Sequence, residues 1–548
     1  MPTPSLHESR LAALSRLCVW SAVLGGSSAA LAVVWRAVLL TIAVAMGGCA
    51  VLPGQVERPV SYSRSDVADT QLGRIAAAST SDDQQALSGF RLLPDGAQAF
   101  DARIALIHRA EKTLDVQYYV IASDGTGREF LRELQAAAAR GVRVRILVDD
   151  LYATGQDELF AGLAAHDNVE VRMFNPLPVR GGSFAQRIFF SLHQFSRINH
   201  RMHNKLFIAD GSFAVTGGRN IADEYFDRSG TANFIDMDVL SSGPVVATLA
   251  AVFDRFWNSE IAYPVRSLVG GEPSRQAFER QVGDAPAAAR AASDPESTTV
   301  EAQLANGRIE LEHAEAEVFA DAPQKASGDA GAATVAQAHL ELLRSAQSTV
   351  LLASPYFVPG AQQQEALSAL RSHEVSVSVL TNSLATTDEP LVHFGYARHR
   401  TALLNAGVEL HELMPAAGAV GETKTSFGSS GSGSSGSGNS LGRLHTKLAV
   451  IDDEKTFLGS MNMDTRSARL NTETGIVIHS AVLARLVAKF LRGHEHDGSY
   501  QVQLQGRRLS WLSGEGAGRR ALSVEPVAAA QPALPIRLMA QLLGEGML

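Results

Sequence analysis

His203-Asn204-Lys205-Leu206-Phe207-Ile208-Ala209-Asp210 occurs in this chain with a second copy, His445-Thr446-Lys447-Leu448-Ala449-Val450-Ile451-Asp452. Both read His-x-Lys-x-x-x-x-Asp. Arg201 and Arg443 precede the two histidines at the same offset. Gly217 and Gly459 follow them by 14 residues, and Asn220 and Asn462 by 17. A single His-x-Lys carries no information. Two copies matched at this many positions point to an internal duplication.

Leu206 to Ile208 and Leu448 to Ile451 are short apolar runs ending at aspartate, which predicts a buried strand in each copy. Alternation along a strand puts His203 beside Lys205 and His445 beside Lys447 on one face. Asp210 and Asp452, an odd number of residues on, point the other way and read as structural acceptors at the strand end. Two His-Lys pairs brought together suit a phosphodiester. Lys205, Lys447, Asn220 and Asn462 would donate to phosphate oxygens and stabilise developing charge. One histidine would attack phosphorus; the other would protonate the leaving alkoxide and then deprotonate an incoming hydroxyl. The lysines supply positive charge, so this chemistry calls for no metal or cofactor. Each histidine needs a carboxylate on its far nitrogen. Glu473 is the expected partner of His445, and Asp236, aligned with it in the first copy, that of His203, ahead of Asp238.

The paired motifs with trailing Gly-x-x-Asn resemble the phospholipase D superfamily. Asn199-His-Arg-Met-His-Asn-Lys-Leu-Phe, Ser354-Pro-Tyr-Phe-Val-Pro-Gly, Thr381-Asn-Ser-Leu-Ala-Thr-Thr-Asp and Leu534-Pro-Ile-Arg are similar to its bacterial cardiolipin synthase C-like branch. The resemblance covers about residue 90 to the end, with a gap in the middle. It implies an α/β protein of two pseudo-symmetric α/β/α lobes, with one metal-free active site at their interface. It also implies phosphatidyl transfer between phospholipids, phosphatidylglycerol and phosphatidylethanolamine being the candidate substrates, with His203 as nucleophile. A hydrolytic phospholipase D, a nuclease of the same fold and a non-catalytic lipid-binding scaffold are the alternatives. Gly217-Gly218 departs from the Gly-Ser common in the superfamily. The second copy keeps Gly459-Ser460, so Ser460 is the candidate hydroxyl for the phosphate.

The chain has 548 residues, 45% apolar and 19% charged, enough for two domains or a double lobe. Its net charge of −9 disfavours a dedicated nucleic-acid binder, which carries a basic face. From Val179 to Ala209, however, there are five basic residues (Arg180, Arg187, Arg197, Arg201 and Lys205) and no acidic one. Phe184, Phe189, Phe190 and Phe195 are interleaved with them. This run is expected to form a basic, aromatic rim facing anionic phospholipid, or else an ordinary helix packed by its phenylalanines. His494-Glu495-His496-Asp497 is read as solvated rather than metal-binding.

In chain order, residues 1–55 read as a targeting or anchoring segment. Leu17 to Trp35 has no charge. Either Met46-Gly-Gly-Cys49 is a lipoprotein box with Cys49 lipidated, the preferred reading, or Leu17 to Trp35 crosses the membrane. Both attach a body that would face the periplasm of a bacterium. Cys18 and Cys49 are the only cysteines, so the body has no disulfide framework. Residues 56–91 read as a tether, 92–266 as lobe one (motif 197–224) and 267–331 as a linker. Lobe two is 332–500 (motif 439–466), and 501–548 is an extension whose apolar end meets lipid or packs back on lobe two. Repeated strand–helix–strand units predict largely parallel sheet under helices. The Gly/Ser run 428–440 reads as an inert insertion or a flap.

Overall fold

A computed structural model describes residues 52–272, 274–283, 299–329, 331, 334–415, 441–514 and 520–526. Lobe one opens with β1 (Ser88–Leu93), a helix (Gly96–Arg109) and β2 (Thr113–Tyr118). Helix Gly125–Ala139, β3 (Arg143–Asp149), a short helix (Asp157–Leu163) and β4 (Val169–Phe174) follow. The first motif supplies β5 (Leu206–Ala209) and β6 (Phe213–Gly217). Then come β7 (Ala232–Ile235), β8 (Asp238–Ser242), helix Pro244–Trp257 and β9 (Ala262–Pro264). Lobe two repeats the plan with β10 (Glu312–Ala320), helix Val335–Arg344, β11 (Thr349–Ala353), helix Ala361–Ser372 and β12 (Ser376–Asn382). Its later strands are β13 (Glu409–Leu413), β14 (Leu441–Leu444), β15 (Leu448–Ile451), β16 (Lys455–Gly459) and β17 (Thr474–His479). Helix Ala481–Asp497 precedes β18 (Ser499–Gln505), β19 (Arg508–Ser513) and β20 (Arg520–Leu522).

Local chemistry places these elements. Asp95 and Asp124 cap their helices by accepting from the backbone N–H of Gln98 and Gly127. β2 and β5 are buried along their whole length, as strands covered on both faces must be. Asp210 and Asp452 sit at positive φ (46° and 57°) just past β5 and β15. Asp210 accepts from the N–H groups of Glu111, Lys112 and Thr113 at 2.8–2.9 Å, and Asp452 from those of Gln347, Ser348 and Thr349 at 2.7–2.9 Å. The motif aspartates therefore pin the turn before β2 and before β11, the structural role expected of them.

Pairing runs β9–β4–β3–β2–β5–β6–β8–β1 through lobe one and β10–β17–β16–β15–β11–β12–β13–β18 through lobe two. The second order is the first reversed. β1 and β10 meet antiparallel at the centre, Ser88 opposite Ala314, so a pseudo-two-fold axis passes between them. Within this sheet only β2–β3–β4 and β11–β12–β13 are parallel among the described residues; each motif forms an antiparallel hairpin, so the sheet is mixed rather than largely parallel. β7 and β14 pair separately, one strand from each lobe. Each lobe has an outer core, and a third core lies between helices Pro244–Trp257 and Ala481–Asp497, drawing Leu206, Leu249, Leu448 and Val487 from both lobes.

Three expected boundaries change. The tether 56–91 contains helix Gln71–Ala78 and β1, and Ser61 and Ser63 are hydrogen-bonded into lobe one. The linker 267–331 contains β10, a half-exposed strand whose Glu312, Glu315 and Glu317 give it the composition of a linker. The extension 501–548 begins inside β18 and adds β19 and β20 to the sheet edge. The strands of the motifs begin at Leu206 and Leu448, after the His-x-Lys triplets. Upstream of Leu206 the backbone leaves β2 and bonds to the other lobe instead, His203 N–H donating to the Thr472 carbonyl. Cys18, Cys49, the Gly/Ser run and the apolar end at 534–543 lie outside the described residues. No helix among the described residues is long and apolar enough to cross a membrane.

Candidate active site

The two His-x-Lys triplets lie where the lobes exchange backbone. His203 N–H donates to Thr472 O, Thr472 N–H to Arg201 O, and His445 N–H to Ile235 O. This exchange carries Glu473 to the first histidine and Asp236 to the second. His203 Nδ1 lies 2.9 Å from Glu473 Oε2, and His445 Nδ1 lies 2.6 Å from Asp236 Oδ2. The expected partners are thus crossed. Each carboxylate serves the histidine of the opposite lobe, because its strand meets the other motif across the two-fold axis. Asp238 is occupied by Arg103 at 2.8 Å and Arg219 at 3.5 Å.

A carboxylate only accepts, so each Nδ1 carries the proton and each Nε2 keeps its lone pair. His203 Nε2 has no hydrogen-bond partner among the described residues, whereas Lys447 Nζ donates to the His445 carbonyl and lies against the His445 ring, 3.0 Å from Nδ1 and 3.2 Å from Nε2. Lys205 Nζ is held by the His203 carbonyl at 2.7 Å. Burial and the neighbouring lysines push the imidazoles down, His203 to about 4 and His445 to about 3. Burial alone would raise Asp236, but His445 and Lys447 hold it down at about 2. Burial opposes ionisation of Glu473 too, and His203, Lys205 and Ser460 outweigh it. Burial lowers Lys447 to about 8. At neutral pH the site holds two neutral imidazoles, two carboxylates and a charged Lys447. Lys447 is one of the charges that lower His445, so an anion bound beside the lysine would favour a proton on His445.

Ser460 does not point a free hydroxyl at the phosphate. It donates to Glu473 and accepts from Thr474 N–H at 3.0 Å, so it braces the carboxylate behind His203. No mirror-image serine exists, and a Cβ at Gly218 would run into the Asp236 carboxylate. Asn220 donates to Tyr225 Oη at 3.0 Å. The amide oxygen of Asn462 is buried and has no partner among the described residues. A Cβ at Gly217 would meet Asp238, and one at Gly459 the Thr474 carbonyl, which accounts for both motif glycines.

Several residues at the site carried no motif signal. Tyr119 sets its ring edge-on to His203 at 5.1 Å, and Tyr225 to His445 at 5.0 Å. Asp149, buried at the end of β3, binds Arg201 at 2.8 Å and Met202 N–H at 2.9 Å, fixing the approach to His203. Asp321 accepts from Glu473 N–H at 2.9 Å and pairs with Lys325 at 2.7 Å. Their one legible mark is position: Tyr119 and Asp149 follow strands that end at the site.

The basic run is also resolved differently. Arg187 and Arg180 pair with Asp150 at 2.8 and 2.6 Å, Arg201 with Asp149, and Arg197 with Asn175. Carboxylates neutralise Arg180, Arg187 and Arg201, while Arg197 is held by neutral groups only, so most of the run's charge is turned inward and the expected rim of exposed arginines does not form. His494 bonds the Phe490 carbonyl at 2.8 Å and Glu495 bonds Ser378 at 2.6 Å, at the end of their helix.

A family described as "Cardiolipin synthase, PLD-like domain" matches this chain twice, over residues 104–257 and 339–494. The chain belongs to this family. The two matches coincide with the two lobes, so this cardiolipin synthase-family member is a phospholipase D-type enzyme built from two PLD-like repeats. Cardiolipin synthase C of Escherichia coli (strain K12) is 36% identical over 453 residues, covering 81% of this chain and 93% of that protein. Cardiolipin synthase 2 of Staphylococcus epidermidis is 25% identical over 399 residues, covering 71% of this chain and 64% of that one. The crystal structure of phosphatidylserine synthase from Haemophilus influenzae Rd KW20 shares the fold, with a TM-score of 0.51 and 14% identity over 76% of this chain and 90% of that one.

Proposed function

We propose that this enzyme is a membrane-attached phosphatidyltransferase that makes cardiolipin through a phosphatidyl-histidine. The crossed pair of carboxylate-backed, neutral imidazoles is the observation that carries this reading. His203 Nε2 attacks phosphorus; the bond to the leaving alkoxide breaks, and His445 gives that oxygen its proton. His445 then takes the proton of an acceptor hydroxyl, whose oxygen displaces His203 and forms the new phosphodiester. His203 Nε2 has no partner among the described residues, whereas the His445 ring has Lys447 Nζ against it; this contrast and the resemblance favour His203 as nucleophile. Lys205, Lys447 and Asn462 stabilise the charge gathered on the phosphoryl oxygens. The cardiolipin synthases among the relatives support phosphatidylglycerol as acceptor; phosphatidylethanolamine is the other candidate substrate. The charge-free stretch from Leu17 to Trp35 and Cys49 support attachment to a membrane, with the body on the periplasmic side.

Full-length protein in vesicles of phosphatidylglycerol and phosphatidylethanolamine, followed by lipid mass spectrometry, tests this. Cardiolipin should accumulate with wild type and not with His203→Ala. Phosphatidic acid alone would make the enzyme a hydrolase, since water would then be the acceptor. No lipid turnover by folded protein would refute both readings.

A further inference from the structure

The segment leading into the first motif folds as a helix (Phe184–Ser191), a tight turn (Leu192–Gln194) and a final helical turn (Phe195–Ile198). Phe189, Leu192 and Phe195 stand 44%, 47% and 47% exposed, an apolar strip that no other element among the described residues covers. Around it the exposed residues are Ala185, Gln186, His193 and Ser196, and no carboxylate lies anywhere between Val179 and Ala209. The arginines of the same segment are turned inward onto Asp149, Asp150, Asp157 and Asn175. What remains outside is apolar and nearly uncharged.

Two features say what covers this strip. The first is where the N-terminal chain arrives. Arg58 lies over the ring of Tyr263 in β9 at 4.2 Å, and the Pro59 carbonyl accepts from Arg172 of β4. Arg197, in the same turn as Phe195, is bound to Asn175, whose N–H donates to Ile261 O next to β9. The chain therefore enters the body on the edge that carries the exposed strip, and residues 17–53 before it carry no charge apart from Arg36. The second is a line of aromatic rings running inward. Phe184 stacks on Tyr152 at 6.0 Å, Tyr152 meets Tyr119 edge-on at 5.3 Å, and Tyr119 meets His203 at 5.1 Å. The ring line thus leads from the helix that carries Phe189 to His203, and the N-terminal chain enters beside β9 and β4.

We infer that Phe189, Leu192 and Phe195 form a face that inserts into a lipid bilayer by apolar burial, setting the active-site mouth against the membrane surface. This rests on the lipid-directed function above and adds to it a specific contact. With Arg180, Arg187 and Arg201 neutralised by carboxylates and Arg197 tied down by neutral groups, the face gains little from anionic lipid, so its insertion is governed by buried apolar area and not by salt.

Full-length protein is reconstituted in phosphatidylcholine vesicles, with and without phosphatidylglycerol, containing a lipid with a photoreactive diazirine in its acyl chain. After illumination the labelled peptides are mapped by mass spectrometry. Labelling within 184–198, similar in both vesicles and between 0.05 and 0.5 M salt (about 14 and 4 Å screening lengths), is the expected result. Labelling confined to other segments, cross-linking of 184–198 to residues 1–51 or to a second copy, or labelling that needs phosphatidylglycerol and low salt would overturn it. A Phe189→Ser/Leu192→Ser/Phe195→Ser variant separates this from the function itself. It should turn over vesicle phospholipid at least tenfold more slowly than wild type, and a monomeric short-chain phospholipid at an unchanged rate. Equal losses on both substrates would count against the docking face, whereas wild type inactive on both would count against the function.

Discussion

Carboxylate exchange between the lobes fixes the protonation state of both histidines. An ionised Glu473 or Asp236 holds Nδ1–H and leaves Nε2 unprotonated, as a nucleophile requires. Glu473→Gln or Asp236→Asn can present the wrong hydrogen to Nδ1, and by analogy with other carboxylate–histidine pairs kcat should fall roughly 10²–10⁴-fold with KM little changed. Steady-state kinetics on phospholipid would check both. The pH profile of kcat/KM follows from the same groups. In the proposed mechanism His203 must be unprotonated, so activity is lost as pH falls through about 4, and His445, held at about 3 in the free site, must gain its proton once the anion has bound. Lys447 must be charged, so it is lost again as pH rises through about 8. A profile rising steeply through pH 6.5, the ordinary histidine value, would contradict the buried, lysine-flanked site. At this scale the paired histidines and lysines are legible from spacing, and both orienting carboxylates from alignment of the repeats, whereas the Asn220 amide is engaged by Tyr225. Which carboxylate serves which histidine is not legible, because alignment of two repeats cannot say whether a partner is supplied by the same repeat or across the axis. Ser460 was misread for a related reason: its partner Glu473 is 13 residues on, and nothing local marks the hydroxyl as already engaged.

At the scale of elements, each motif aspartate ties the end of one strand to the turn entering another. Asp210 is buried and receives three backbone N–H bonds; Asp452 receives the same set at a more open turn. Removing a buried acceptor leaves N–H groups unpaired, at about 1–3 kcal/mol. Asp210→Ala should therefore lower the denaturation midpoint clearly, and Asp452→Ala by less, in chemical unfolding followed by circular dichroism. Equal and negligible shifts would mean that the turns are held by other contacts. The strands carrying these aspartates were legible as apolar runs, and the flanking helices as alanine- and leucine-rich periodic stretches. β1 and β10 were not. Ser88-Gly-Phe-Arg-Leu-Leu and Glu312-His-Ala-Glu-Ala-Glu-Val-Phe-Ala pair along the axis with partly exposed faces, so neither shows the apolar signature of a covered strand.

The whole molecule is one catalytic unit made of two copies. β1 against β10, β7 against β14 and a shared core between the closing helices hold the lobes in a single register. The duplication was visible in the sequence, and the axis follows from pairing that no local pattern encodes. Crossed carboxylates make the copies interdependent, since neither lobe contains a complete histidine–carboxylate pair. Trapping the covalent adduct tests this most directly. Wild type, Glu473→Gln and Asp236→Asn would each be mixed with a phospholipid donor and quenched within milliseconds in alkali, which preserves phosphohistidine. Mass spectrometry would then locate the adduct. We predict an adduct on His203 in wild type, formed much more slowly with Glu473→Gln, and still on His203 with Asp236→Asn. An adduct on His445, or one on His203 that forms at the wild-type rate with Glu473→Gln, would contradict the crossed site.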